Sequence, residues 1–195
     1  MSFERFSGGC SFLAGVVGFL YALSFVVLRS DVVTALSLLL GGLLSSSALV
    51  ALYGRLRGTD AGYALWGVLL SLVGAGGAVI HGGYDLANAL HPPTNPNLDL
   101  PSQIDPRGLL TFGVTGLGLF VLAALIVRGG ALPKTLGYLG FILAVLLIVL
   151  YLGRLIILEP SHPFVLVPAL VTGFVLNPAW YLWLGTVFWR AQRAR

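Results

Sequence analysis

Six stretches of this chain contain no Asp, Glu, Lys or Arg: Ser7 to Leu28, Val32 to Gly54, Ala61 to Tyr84, Gly108 to Val127, Thr135 to Gly153 and Pro163 to Trp189. A helix crosses a hydrocarbon core of about 30 Å with roughly 20 apolar residues, and each run is close to or beyond that length. In lipid every backbone polar group must find its partner inside the spanning segment, so uncharged runs of this length have to be helices. A transmembrane barrel would instead show short strands of alternating polarity. The expectation is an all-α polytopic membrane protein, a bundle of six transmembrane helices. Its spans lie at about 8–28, 32–54, 61–84, 107–127, 135–157 and 163–189 of one integral membrane domain, residues 1–195. Only 9% of the residues are charged, against about 25% in soluble domains, which leaves no aqueous domain of any size.

Six spans put both chain ends on one side, and charge says which. That side collects Arg5, Arg55, Arg57, Arg128, Lys134, Arg190, Arg193 and Arg195, while the other holds only Arg29, Arg107 and Arg154. Lys and Arg accumulate in cytoplasmic loops, so the N-terminus and C-terminus are expected to be cytoplasmic, in a multi-pass protein of the cell membrane. The net charge of +4 is not gathered into a patch for nucleic acid, and the basic tail RAQRAR suits an anionic lipid surface. Asp31, Asp85, Asp99, Asp105, Glu159 and all three histidines fall on the outer side. The lone Cys10 excludes an internal disulfide and reads as a packing residue.

Local signals place the helix ends. Asp105-Pro106 opens the fourth span, Ser30 or Asp31 the second, Thr59 or Asp60 the third, and Ser161 the sixth. The outer loop 91–107 holds five prolines, a stiff segment able to lie across the bundle. Small residues at four-residue spacing, Gly67, Ser71 and Ala75, then Gly74 and Ala78, imply close helix packing; Gly113, Gly116, Gly137 and Gly140 do similar work. Such faces pack within the chain or join it to a homo-oligomer or a membrane complex partner. Ser45-Ser46-Ser47 sits mid-membrane, where hydroxyls bond their own preceding carbonyls. Asn177-Pro178 should kink the sixth span by freeing the Phe174 carbonyl. LVALYGRL (Leu49 to Leu56) echoes IVLYLGRL (Ile148 to Leu155), a short likeness that would fit a 3+3 inverted repeat.

Chemistry, if there is any, concentrates in IHGGYDLANALHPP, Ile80 to Pro93. On a continuing third helix His81, Asp85 and Asn88 fall on one stripe, and Gly82 and Gly83 let a backbone or ligand come close. The plainest use of this rim is structural, with Asp85 pairing Arg154. A metal is the second use: His81, Asp85 and His162, with Glu159 nearby, resemble in type the donors of an open zinc site. A proton- or ion-coupled transport site on Asp85 and His81 is the third.

No nucleotide loop, nucleophile elbow or strong metal pattern is present in the sequence, so the balance leans away from an enzyme. The function expected is an integral membrane protein that binds a lipid or small apolar ligand, or serves as an accessory subunit, with no cofactor required. The alternatives are a small proton- or ion-coupled transporter, or a metal-dependent membrane hydrolase with an outward-facing His/Asp site using a divalent metal such as zinc. A reporter fused after Arg195 should be labelled only from inside the cell; labelling from outside would reverse the topology.

Overall fold

The computed structural model describes residues 2–92, 107–157, 159 and 161–190, and the regular elements among them are helical. Helix α1 (Phe3–Leu23) runs on through a π-helical turn, Ser24–Leu28, and ends where Arg29 takes a left-handed backbone with φ 50°. Helices α2 (Asp31–Leu56) and α3 (Ala61–Leu90) follow. A π-helical turn at Leu109–Val114 leads into α4 (Thr115–Arg128), and then comes α5 (Lys134–Ile156). The last span is α6 (Pro163–Val171), a third π-helical turn at Thr172–Leu176, and α7 (Asn177–Arg190). Among the described residues these make six spans long and apolar enough to cross a bilayer, as the charge-free runs foretell.

Helix ends follow the local chemistry in part. The Asp60 carboxylate caps α3 by accepting from the Tyr63 N–H at 3.1 Å, and Ser30 precedes α2 without a side-chain cap bond. Ser161 does not cap the last span. His162 does so instead, its Nδ1 accepting from the Phe164 N–H at 3.3 Å, while Ser161 donates to Glu159. Asp105-Pro106, most of the Pro-rich loop and the final arginines lie outside the described residues.

Consecutive spans pack side by side, and the last lies against both α5 and α1, closing the six into a ring. The end bearing both termini is the near end; the other is the far end. At the near end Glu4 and Arg55 form an ion pair that ties α1 to α2. Exposed Trp66, Leu69, Val73 and Ile80 form the outward stripe of α3, apolar as a lipid-facing surface must be.

The seams of the ring are built at backbone distance. A Cβ on Gly82 would sit 2.5 Å from the Leu39 amide nitrogen and 2.7 Å from the Ala35 carbonyl oxygen, so α2 uses the space that glycine leaves. On the other flank of α3, a Cβ on Gly118 of α4 would meet the Ser71 backbone at 2.6 Å. Gly67, Ser71 and Gly74 therefore face α4 while Ala75 and Gly82 face α2, and the small-residue pattern of α3 is used within the chain. Gly8 and Gly185 close the ring between α1 and α7 in the same way.

Gly82→Val should therefore cost about 1–3 kcal/mol, because both clashing atoms are backbone. Gly83→Ala, whose Cβ would meet only the Leu39 side chain at 3.8 Å, should be neutral or stabilise by up to about 1 kcal/mol. Thermal unfolding of the purified protein in detergent separates the two.

Candidate functional site

A ring of six helices whose seams are glycines need not fill its own middle. At the far half of the bundle it does not: a cavity of about 520 Å³ reaches from the far end to mid-depth, with wall residues from all six spans. Along α3 the wall runs from Ser71 to Asp85, fourteen residues apart, or about 21 Å of helix rise. Its volume falls in the range of small-molecule sites, roughly 300–1,000 Å³.

All three π-helical turns of the described chain contribute to this wall, through Phe25 and Val26, Thr111 and Phe112, and Thr172 to Phe174. Wide turns interrupt the regular ladder and recur at functional positions in helical proteins. The one in the last span directly precedes Asn177-Pro178, where a proline without an N–H leaves the preceding turn to readjust. The irregularity the structure shows at this place is a widened turn. Pro168, inside α6, is a second interruption that the sequence reading passed over.

Most hydroxyls on the wall are already spent. Ser45 donates to the Gly42 carbonyl at 3.0 Å, Ser71 to Gly67 at 2.8 Å, Thr34 to Ser30 at 2.8 Å and Thr115 to Leu110 at 3.4 Å. Ser46 and Ser47 also bond back along α2 and stand off the wall. These residues present mainly their carbon atoms to the cavity, beside Leu49, Leu119, Leu143 and Leu147. The middle of the cavity is thus largely apolar, the exceptions among the described residues being the Thr172 hydroxyl and the Trp180 indole N–H, both buried without a partner.

The far end is polar. His81 and Asp85 lie one turn apart on α3, both on the wall, with His81 Nε2 at 3.4 Å from Asp85 Oδ2. The Nδ1 side of the ring faces the Thr111 hydroxyl at 3.3 Å, and Thr111 in turn donates to the Arg107 carbonyl at 3.0 Å. Asp85 Oδ1 accepts from Arg107 Nη1 at 3.2 Å, and the Arg107 guanidinium lies 4.0 Å over the Tyr84 ring. Charge pairing and cation–π contact together lock the start of the fourth span onto the end of α3.

The expected pairing of Asp85 with Arg154 is thus corrected: the partner is Arg107. The reason is the order of the ring, since α3 packs between α2 and the fourth span and α5 lies beyond it. Arg154 lines the same cavity but makes no ion pair among the described residues. Asn88 continues the α3 stripe beyond the wall. Glu159 accepts from Ser161 at 2.7 Å, and His162 stacks on Phe164 at the start of α6, so neither joins His81 and Asp85. Among the described residues no three His, Cys, Asp or Glu side chains group in a way that could hold a metal.

Arg107, Thr111 and Thr115 were missed as site residues. Their spacing of four places them on one stripe in RGLLTFGVT, a polar line in an apolar span that could have marked the face turned toward His81. Deep in the wall Trp180 is buried edge-on against Tyr181, its indole N–H without a hydrogen-bond partner among the described residues.

No protein-family model, curated protein or solved structure matches this chain.

With Asp85 40% exposed at its side chain, its pair with Arg107 should behave as a rim interaction. A double-mutant cycle on Asp85→Asn and Arg107→Gln is expected to give a coupling of about 0.2–1 kcal/mol that shrinks with added salt.

Proposed function

We propose that this chain is a multi-pass protein of the cell membrane with both termini cytoplasmic, and that it binds a lipid or small apolar ligand in a cavity opening toward the outer side. The orientation rests on the eight basic residues of the near side against three on the far side. The binding function rests on the cavity. Its wall is made by every span, and the hydroxyls of Ser45, Ser71, Thr34 and Thr115 are spent on their own helices. Apart from the Thr172 hydroxyl and the Trp180 indole N–H, buried without a partner among the described residues, its body offers a ligand mainly carbon. An apolar solute gains by filling such a space, because the walls then recover the dispersion contacts that a void forfeits.

A second reading is favoured by one observation: the His81–Asp85 pair sits on the wall rather than behind it. Proton- or ion-coupled transport would use that pair, and Asp85→Asn would then abolish flux in proteoliposomes while the protein stays folded. Under the binding reading the same variant leaves ligand uptake intact.

Gly41 separates a cavity that binds from one that merely exists. It lines the wall and its nearest neighbour to a new Cβ is a Val17 methyl at 4.0 Å, so Gly41→Phe can be accommodated by filling the space. Delipidated wild-type protein should take up one molecule of a long-chain alcohol per chain, saturably, as read by native mass spectrometry. Gly41→Phe should lower that affinity about tenfold or more, the loss of roughly 1.4 kcal/mol, without lowering the unfolding temperature. Equal binding by both proteins refutes the reading.

A further inference from the structure

The cavity holds two arginine neighbourhoods that differ in one respect. Arg107 faces Asp85, so that charge is answered within the protein. Arg154 is exposed, lines the cavity from the end of α5, and has no carboxylate partner among the described residues. Its near-end counterpart in the echoed sequence, Arg55 of YGRL, is paired with Glu4. Similar local sequences therefore end one helix on a neutralised guanidinium and another on an open one.

Tyr151 stands three residues before Arg154 on α5, hence on the same face, and also lines the cavity. Its phenol and the guanidinium together offer donors at the polar end of an apolar space. A guanidinium without a carboxylate beside an apolar space is complemented by an anion, and its planar fork suits a carboxylate or phosphate. A neutral ligand would leave that charge unanswered, and a cationic one would add to it. Asp85 does not invite a cation, being engaged by Arg107 and His81.

We propose that the occupant of the cavity is an anionic amphiphile: a headgroup of carboxylate or phosphate held by Arg154 and Tyr151, and one long apolar chain lying along α3 toward Trp180. This rests on the cavity being a ligand site. It goes further by assigning the headgroup charge and the residues that read it. The wall runs about 21 Å along α3, which suits an extended acyl chain better than a compact apolar solute.

The test compares probes of one chain length on the full-length protein in neutral phosphatidylcholine nanodiscs: a fatty acid, the matching alcohol, the matching amine and a lysophosphatidate. The fatty acid or the lysophosphatidate should bind about tenfold tighter than the alcohol and the amine, and whichever of the two binds tighter identifies the headgroup. Arg154→Gln should erase that preference while leaving alcohol affinity unchanged, Tyr151→Phe should weaken it, and Arg55→Gln should leave every affinity as it was. Equal binding of acid, phosphate, alcohol and amine to wild type, lost in Gly41→Phe, overturns the headgroup assignment and leaves the cavity reading standing. If no probe binds, both fall together. Should Arg154→Gln fail to fold, the wild-type comparison among the four probes still decides.

Discussion

Between helices in hydrocarbon there is no water to escape, so apolar side chains gain nothing from one another that lipid chains would not supply. Contact has to come from close approach, and here it comes from α3. Through Gly82 it admits the backbone of α2, and through Gly67, Ser71 and Gly74 it admits α4. Both flanks of α3 are thereby fixed at backbone distance, and the strip between them, which carries Ala78, His81 and Asp85, is turned toward the cavity. The position of the only polar pair on that strip follows from where glycine was placed.

The same constraint explains why the ring has a hollow. Close seams pull neighbouring helices together in pairs, but six pairs drawn tight around a circle cannot also meet at its centre. The near half solves this with large side chains: Leu52, Leu56, Leu122, Leu136, Leu184 and Phe188 are buried there. The far half carries glycines, alanines, serines and threonines on its inner faces and leaves room. Satisfying most of those hydroxyls within their own helices keeps the space largely apolar, and Arg154 stands at its far end without an ion-pair partner among the described residues.

Much of this could be read in one dimension. Uncharged length announces a span, small residues at four-residue spacing announce a seam, and His81 and Asp85 at i, i+4 announce a shared face. What spacing along a chain does not carry is which spans become neighbours. Arg154 looked like the natural partner of Asp85 because both stand at far-end helix termini, yet the ring interposes the fourth span and Arg107 reaches Asp85 first. His162 looked like a metal donor for the same reason, whereas the start of α6 takes its imidazole as a cap. The widened turns were hidden too. Only the third has a sequence mark, Asn177-Pro178; the other two, at Ser24–Leu28 and Leu109–Val114, occur in ordinary apolar sequence.

Those turns have a mechanical meaning. Each stores about one surplus residue, so drawing one straight would swivel the helix on one side of it by roughly 100° relative to the other. In the last span the downstream piece is not free to swivel, since Gly185 and Pro178 are clamped against Gly8 and Gly15 of α1. The short α6 rod is held less tightly, and Val165, Leu166 and Ala169 on it form part of the cavity mouth. Any slack released at Thr172–Leu176 is delivered there, so the outline of the cavity at this end is set by how that one turn is wound.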